Sequence, residues 1–220
     1  MEKYSICDLE RWVGSSAGLF AAKSGLDMMK MIRIDSPDNQ RVRVPCSPLE
    51  LSKMIDNMNT LFFVPVQTRI FNDFYHLRCD ENNVKWSGHI TPPQSDNLYK
   101  FVERCMTSET RFVFLAYNEQ NQCVGYCYCD IDDDNKTIES SFGVDYSQTR
   151  KGYGTQIIEF AHRYGKIVGM HEHIVWVSEQ NIASNKVFLK LGFTNSGEYE
   201  LRNLPLLGGN HKFYKLAKMI

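Results

Sequence analysis

The sequence predicts an α/β fold with a mixed, mostly antiparallel central sheet flanked by helices and preceded by an N-terminal extension. Three observations lead to this fold class. From about residue 71 onward, apolar residues repeat with helical and strand periods in turn. The polar turns "NEQNQ" and "DDDNKT" join three successive strand-like segments. The chain closes with two strand-like segments around "LLGGN", so the order is helix, three strands, helix, strand, helix and hairpin.

The individual elements follow in chain order. We expect a strand at "FYHLRCD" and a helix at "SDNLYKFVERCM", with Ser95 as its N-cap. Strands are predicted at "RFVFLAYN", "CVGYCYCDID" and "TIESSFGV". A helix begins near Gly154, and "HIVWVS" is the next strand. The last helix, "NIASNKVFLKLG", ends at Gly192 because glycine suits the left-handed conformation beyond a helix end.

The chain is divided into an N-terminal extension of unassigned role, residues 1–70, and the α/β domain, residues 71–220. Within the extension, "SPLELSKMIDNM" is predicted to be a capped helix. The segment "LFFVPVQTRIF" contains strand-forming residues but is interrupted by Pro65.

The composition indicates a globular protein without a nucleic-acid or membrane partner. A formal net charge of −1 provides no broad basic surface. The N-terminus lacks a basic stretch followed by an apolar one, and no apolar run approaches the roughly 20 residues of a membrane span. Seven scattered cysteines suit reduced, buried thiols. We therefore expect a cytoplasmic protein, and the sequence leaves its oligomeric state open.

No metal site is expected. The segment "DIDDDNKTIESS" begins like a calcium loop but lacks the glycine and the glutamate that such a loop needs, so it is interpreted as a hairpin turn. His171 and His173 share one face of a strand, with no third ligand near them in the sequence. This spacing predicts a pair of surface histidines.

The segment "TRKGYGTQIIEFAHRYGKIVG" places two cations and two glycines directly before an amphipathic helix. Backbone N–H groups at a helix start are unpaired, and glycines let them curl around a ligand. Arg150 and Lys151 oppose the positive end of the helix dipole, so we expect an anion there, of the size of pyrophosphate. The alternative is a glycine-bearing turn with surface cations. The segment is not a P-loop, and Ile157 stands at the third glycine position of a dinucleotide fingerprint.

A second motif narrows the interpretation of this loop. The stretch from Val144 to Gly154, followed by N-x-x-S-x-x-x-F-x-K-x-G-F from Asn181 to Phe193, resembles the GNAT acyl-CoA N-acyltransferases. The resemblance covers roughly residues 71–220 and implies a GNAT-like sheet and acetyl-CoA as the cofactor. It also implies that the first motif holds the CoA pyrophosphate and the second holds the pantetheine. The implied cofactor-binding residues are Val144, Arg150, Lys151, Gly152, Tyr153, Gly154, Thr155, Asn181, Ser184 and Phe188.

Two positions depart from the family pattern. Thr149 replaces the usual Arg or Gln of the first motif, and Phe188 replaces the tyrosine that is the family's customary general acid. A thiol with a pKa of about 8.5 leaves readily as a thiolate, so the missing acid is tolerable in principle. Tyr199 and Tyr214 are the alternative proton donors.

The candidate general base is Glu139, the only carboxylate in "TIESSFGV". Strand alternation sets Glu139 on the face of Ser141 and Gly143, opposite to Val144, unless a bulge intervenes. A solvent-facing glutamate is the alternative interpretation.

The segment "HLRCDENNVKWSGH" resembles the opening of GNAT enzymes that acetylate amino sugars, nearest in pattern to those acting on nucleotide-linked amino sugars. Ribosomal-protein and polyamine acetyltransferases carry related openings. The resemblance implies an acceptor wall of Asp80, Glu81, Lys85 and Trp86. The predicted function is acetylation of a small amine, most specifically a nucleotide-linked amino sugar. The alternatives are acetylation of a protein amino group or an antibiotic, and a non-catalytic acyl-CoA-binding regulatory module, which Phe188 favours.

Overall fold

A computed structural model describes residues 61–220, whose centre is a seven-stranded sheet with the order β1-β2-β3-β4-β5-β7-β6. The strands are β1 Phe62–Pro65, β2 Arg111–Tyr117, β3 Cys123–Asp132, β4 Thr137–Val144, β5 Glu172–Ser178, β6 Thr194–Leu204 and β7 Gly209–Met219. The helices are α1 Phe71–Cys79, α2 Glu81–Trp86, α3 Ser95–Thr107, α4 Tyr153–Ile167 and α5 Ile182–Lys190, with short 3-10 turns at Thr68–Ile70, Tyr146–Gln148 and Pro205–Leu207.

The sheet is mixed and mostly antiparallel, as the sequence predicts. Every neighbouring pair of strands is antiparallel except β4 and β5. These two strands pair in parallel only where Thr137–Glu139 meets Glu172–Ile174. Beyond Glu139 and Ile174 they separate, and a gap opens within the sheet.

Helices cover both faces of the sheet. The apolar side of α4, including Ile157 and Phe160, packs with Phe114 of β2 and Ile138 of β4. On the other face, α1 and α3 form a second buried cluster with β2 and β3. A third cluster joins α5 to β5 through Phe188 and its neighbours. The three clusters fix the helices on either side of the gap.

The segment "FYHLRCD" is helical, so the prediction of a strand there was wrong. It lies in α1, where Phe71, Phe74 and Leu77 are buried at intervals of three residues. The local alternation of apolar Tyr75, Leu77 and Cys79 imitates a strand. The buried face is set by Phe71, which precedes the quoted segment, so the helical period is visible only in a longer window.

The sheet begins before the predicted domain boundary at residue 71. β1 pairs along its length with β2, from Phe62 opposite Tyr117 to Pro65 opposite Phe114. Pro65 is tolerated because β1 is an edge strand. The predicted helix "SPLELSKMIDNM" and the remainder of the extension lie outside the described residues.

The remaining element predictions are confirmed, with small shifts at the ends. Gln94, not Ser95, is the N-cap of α3. The helix predicted near Gly154 begins at Tyr153, and Gly192 follows α5 with a φ of +81°. Within residues 61–220 the five cysteines are free thiols. No helix in this part of the chain is both long and apolar enough to span a bilayer.

Candidate active site

A cavity of about 1040 Å³ occupies the gap between β4 and β5. Its walls include Ser140–Val144 on one side and Trp176–Ser178 on the other. The loop before α4 and the first turns of α5 close one end, and residues of α1, α2 and β6 line the other. The cavity therefore connects the two sequence motifs with the segment predicted to hold the acceptor.

The loop before α4 has the geometry of an anion cradle. Arg150 and Gly152 have φ angles of +65° and +82°, which turn the backbone sharply into the helix. The first helical N–H that finds its intrahelical partner belongs to Gln156, which donates to the Gly152 carbonyl, and the earlier amides remain available to a ligand. Around Gly152 there is open space where a side chain would stand. A Cβ at Gly154 would come within 2.9 Å of the Phe142 ring, so only glycine lets this turn lie against β4.

The predicted cofactor residues of this loop line the cavity, with one exception. Lys151 does not line it, because its ammonium group donates to the Gln148 side chain at 2.7 Å. The lining residues of this set are Val144, Arg150, Gly152, Tyr153, Gly154 and Thr155.

The second motif builds the start of α5. The Asn181 side chain caps the helix by accepting from the Ser184 N–H at 3.1 Å. Asn185 ties the helix to β5 by donating to the Ser178 carbonyl at 2.8 Å. Phe188 is buried and lies edge-on to Phe142 of β4, with 5.8 Å between the ring centroids. Asn181, Ser184 and Phe188 all line the cavity.

The open edge of β4 presents the backbone of Val144 to the gap. N–H groups alternate in direction along a strand. Asp145 donates to Val124 of β3, so the Val144 N–H points the opposite way, towards β5. Asn83 donates to the Val144 carbonyl at 3.4 Å and to Leu77 at 2.9 Å, which anchors this strand end to α1.

Aromatic rings and cations surround the far end of the cavity. Lys85 lies 5.4 Å from the centre of the Trp86 ring. Arg202 of β6 lies over Trp176 and Phe213, at 5.6 and 4.8 Å from the ring centres, and forms an ion pair with Glu200. Among the lining residues of this end are Arg78, Lys85, Trp86, Tyr126, Tyr128, Trp176, Arg202 and Phe213.

Two of the four predicted acceptor residues lie elsewhere. Asp80 and Glu81 line a second, smaller cavity of about 630 Å³ beside α2. The Asp80 carboxylate caps α2 by accepting from the Asn83 N–H at 3.0 Å and also accepts from the Tyr146 N–H at 3.1 Å. Its position is thus explained by local structure. Lys85 and Trp86 line the main cavity.

Glu139 stands beside the cavity and does not line it. The β3–β4 register runs without a shift, so no bulge turns Glu139 to the side of Val144. Glu139 is exposed as a whole residue, but partial desolvation of its carboxyl group raises the pKa of that group, and the nearby Asp130 raises it further. Arg202 and a hydrogen bond from Trp176 act in the opposite direction and lower this pKa. Trp176 lines the cavity and thereby connects it to Glu139.

The two candidate tyrosines lie away from the cavity. Tyr199 is 55% exposed, and its ring centre is 6.0 Å from that of Tyr214, its partner across β6 and β7. Tyr214 packs against the cluster that joins α5 to β5. Neither tyrosine lines the cavity, so the structure does not present either hydroxyl to it.

His173 is completely buried, so the prediction of a surface histidine pair was wrong. Its Nε2 lies 2.6 Å from the hydroxyl of Ser140, the residue of β4 that follows the last pair with β5. Burial lowers the pKa of His173 from its ordinary value of 6.5 to about 3, assisted by His162 and Lys218. The sequence carried a signal for this position, because His173 alternates with the inward-facing Val175 of β5.

Sequence reasoning also missed five cavity residues that come from four separate elements. Arg78, Tyr126, Tyr128, Trp176 and Arg202 share no motif, because they lie on α1, β3, β5 and β6. They meet only after the sheet is assembled. In the sequence, Trp176 lies within the predicted strand "HIVWVS" without further distinction, and nothing near Arg202 marks it.

The family-model comparison matches residues 71–193, more than half of the chain, to a model described as "Acetyltransferase (GNAT) family". A search of curated proteins gave no match.

Several solved structures of acetyltransferases have a fold similar to that of this chain. One is a GNAT-family acetyltransferase from Bacillus anthracis, with 18% identity, a TM-score of 0.63, and coverage of 73% of this chain and 95% of that one. A spermidine N-acetyltransferase from Vibrio cholerae, in complex with CoA and spermine, has 14% identity, a TM-score of 0.66, and coverage of 72% and 95%. An acetyltransferase from Salmonella typhimurium that modifies the N-terminal serine of a 50S ribosomal subunit protein has 17% identity, a TM-score of 0.63, and coverage of 74% and 96%. At these identities the likeness establishes the fold.

The buried His173 predicts a loss of stability in mild acid. Below about pH 6.5 the unfolded chain binds a proton at this imidazole that the folded protein, with a pKa of about 3, does not bind. The free energy of unfolding should therefore fall as the pH drops below 6.5, by at most about 1.4 kcal/mol per pH unit from this group. Denaturant unfolding between pH 7 and 5 measures the slope.

His173→Gln should show a shallower slope than the parent over this range. His171→Gln is the matched control, because His171 is exposed and two residues away, and it should keep the parental slope. Equal slopes for the parent and His173→Gln would contradict the assignment.

Proposed function

The chain belongs to the GNAT family of acetyltransferases, and from that premise we propose that it acetylates the amine of a small acceptor, specifically a nucleotide-linked amino sugar. N-acetyl transfer from acetyl-CoA follows from the family, and the acceptor is the part proposed. One observation carries the proposal. A single cavity joins the anion cradle before α4, the open edge of β4 and an aromatic chamber. This chamber is the end of the cavity that is lined by Trp86, Trp176 and Phe213, and it can hold a sugar or a base.

The residues of the cradle and the gap fit acetyl-CoA. Open space at Gly152 and close packing at Gly154 let the loop backbone approach a diphosphate. The edge of β4 beyond Glu139 has no partner in β5, so it can take an extended pantetheine arm as an added strand. Bound there, acetyl-CoA supplies the activated thioester from which the acetyl group is transferred.

The backbone of β4 would stabilise the charge that develops during transfer. The Val144 N–H faces the gap and is the donor proposed for the thioester oxygen as it gains negative charge. Asn83 holds this strand end from the side of α1. Such a donor is effective because it is already oriented before the reaction.

Glu139 is the proposed general base. Its raised pKa brings it nearer to neutral pH, where a carboxylate accepts a proton more effectively. Since Trp176 separates it from the cavity, Glu139 would accept the proton of the amine through a water molecule. Phe188 offers no proton to the departing thiolate, and a thiol with a pKa of about 8.5 needs little help near neutral pH.

Three features support the amino-sugar acceptor. Trp86 and Trp176 both line the chamber and offer apolar faces to a sugar ring or a base. Cationic Arg78 and Lys85 lie on the same side as Trp86 and suit a negatively charged nucleotide. The segment that carries Trp86 also has the sequence pattern of amino-sugar acetyltransferases.

The experiment that tests the proposed function measures release of CoA thiol from acetyl-CoA with a panel of amines. The panel contains a nucleotide-linked amino sugar, a free amino sugar, spermidine, an aminoglycoside and a peptide with a free N-terminus. The proposal requires the highest kcat/KM with the nucleotide-linked sugar. A higher value with the peptide or with spermidine would replace it by protein or polyamine acetylation.

Gly152→Asp should weaken acetyl-CoA binding, because it places a carboxylate where the diphosphate is expected. Gly152→Asn is the matched control, since it imposes a side chain of the same shape at the same φ of +82° without the charge. We expect the aspartate variant to bind acetyl-CoA at least about tenfold more weakly than the asparagine variant, as measured by calorimetric titration. Equal affinities of the two variants for acetyl-CoA would contradict the proposal that its diphosphate binds at this loop.

Trp86→Ala should raise the acceptor KM by about tenfold or more and leave the acetyl-CoA KM nearly unchanged, which is the pattern of a lost uniform-binding contact. Tyr99→Ala serves as a control, because Tyr99 is a 40% exposed aromatic residue of α3 outside the cavity. Steady-state kinetics and thermal melting are measured together. A destabilised Trp86→Ala enzyme with a normal acceptor KM would identify Trp86 as a packing residue.

Phe188→Tyr tests whether a proton donor is needed. If the thiolate departs unaided, the added hydroxyl should change kcat by less than the roughly hundredfold typical of general acid catalysis. Single-turnover acetyl transfer measures the step directly. A larger gain would mean that the parent enzyme is limited by thiolate departure.

A further inference from the structure

The charged residues that line the main cavity are all cationic. They are Arg78, Lys85, Arg150 and Arg202, and no Asp or Glu of residues 61–220 lines it. A cavity that receives an amine would be expected to offer it a carboxylate, because an ammonium group is repelled by nearby cations. The cradle before α4 accounts for Arg150, but three cations remain at the acceptor end.

These three cations differ in how well the protein neutralises them. Arg202 has an ion pair with Glu200 and stacks on two aromatic rings. Lys85 lies over the Trp86 ring. Arg78 is partly buried and lies 5.6 and 5.8 Å from the ring centres of Tyr126 and Tyr128. It donates a hydrogen bond to the Tyr128 hydroxyl at 2.8 Å and also interacts with the Tyr126 hydroxyl. Arg78 and Lys85 thus have no ion pair within residues 61–220, and of these two only Arg78 has the planar guanidinium that binds an anionic group through two hydrogen bonds.

The tyrosines beside Arg78 do not supply the missing negative charge. Burial raises the pKa of Tyr126, although Arg78 opposes the rise, and burial likewise raises the pKa of Tyr128. Both phenols are protonated and neutral at physiological pH. The guanidinium has five N–H donors, and the hydroxyls of Tyr126 and Tyr128 engage only part of them.

Three carboxylates on or directly after α1 and β4 are engaged with other partners. Asp73, on the same helix as Arg78, accepts from the Tyr117 hydroxyl at 2.6 Å. Asp80 accepts from two backbone N–H groups. Asp145 accepts from Ser147 at 2.6 Å and faces His76. None of the three forms an ion pair with Arg78 within residues 61–220.

We propose that Arg78, supported by Tyr126 and Tyr128, binds an anionic oxygen group of the acceptor, either a phosphate or a carboxylate, and thereby selects amines that also carry a negative charge. The inference rests on the proposed function, which places the acceptor at this end of the cavity. Guanidinium binds such groups through two parallel hydrogen bonds, and partial burial strengthens them. Polyamines, which bring further positive charge to Arg78 and Lys85, are disfavoured.

The experiment compares acceptors that differ only in the anionic group. Glucosamine 6-phosphate is paired with glucosamine, phenylalanine is paired with phenylalaninamide, and spermidine is added as the polycation. CoA release by the full chain gives kcat/KM for each. In at least one pair we expect the acceptor with the anionic group to have a kcat/KM about tenfold or more above that of the acceptor without it. Spermidine should have the lowest kcat/KM. The two pairs distinguish phosphate from carboxylate.

Arg78→Met should abolish the preference by raising the KM of the anionic acceptor, with the acetyl-CoA KM unchanged. Arg78→Lys keeps the charge and should retain part of the preference. Arg104→Met is the control, because Arg104 is exposed on α3 outside the cavity, and it should behave as the parent. Equal kcat/KM within both pairs, or a preference that survives in Arg78→Met, would overturn the inference.

A direct binding measurement separates this inference from the proposed function. The parent saturated with CoA is titrated with glucosamine 6-phosphate and with phenylalanine in a calorimeter, and so are the two Arg78 variants. Binding that is lost in Arg78→Met and partly kept in Arg78→Lys supports the anion site even if no amine in the panel is acetylated, a result that would refute only the proposed function. Absence of binding by the parent, or equal binding by Arg78→Met, counts against the site. Thermal melting verifies that each variant is folded.

Discussion

The early end of the pairing between β4 and β5 is the constraint on which the active site depends. Parallel pairing covers three residue pairs, the last of them Glu139 with Ile174. Each strand then continues with backbone groups that its neighbour does not satisfy, and unpaired groups in a protein interior are costly. Such a gap persists because the helices on both faces are held by their own buried clusters and do not need the strands to close. The cavity follows directly from this arrangement.

Ser140 and His173 mark the point where the strands part. Ser140 is the first residue of β4 beyond the paired region, and its hydroxyl lies 2.6 Å from the imidazole of His173, which is still paired with Ile138. The histidine stays neutral because burial disfavours its charged form. A neutral imidazole suits this place, since a charged one would lie beside Ser140, which lines a cavity that already has four cations. The contact thus defines one boundary of the gap without changing its charge.

The geometry of the proposed cofactor end could be predicted from the sequence because it depends on contiguous backbone. An anion cradle needs glycines, an adjacent cation and a helix start, and these lie together between Arg150 and Thr155. The cap of α5 is similarly local, with Asn181 bonded to Ser184. Strands β2 to β5 were predictable for the same reason, because the strand pattern of apolar residues is visible within each segment by itself.

The acceptor end could not be predicted in the same way, because its residues come from distant elements. Arg78 lies in the segment that resembles amino-sugar acetyltransferases, but the sequence did not single it out, because its position depends on α1 being a helix and not the predicted strand. The sequence favoured Asp80 as an acceptor contact because it lies next to Lys85 in a family-like string, whereas local capping accounts for its carboxylate. Tyr214 was a candidate acid by residue type alone, and the strand register put it on the packed side.

The charges of the cavity constrain the substrate more strongly than its shape does. Aromatic walls accept many rings, and a gap of this size accepts many amines, so neither separates a sugar from a peptide or a polyamine. A guanidinium without an ion-pair partner does discriminate among these acceptors. A partly buried positive charge is unfavourable until a ligand supplies a negative charge beside it. Arg150 at one end and Arg78 at the other therefore give a single cavity two places for negative charge. The reacting amine and thioester would lie between them, beside Val144 and the neutral Phe188, where no described charge lines the walls.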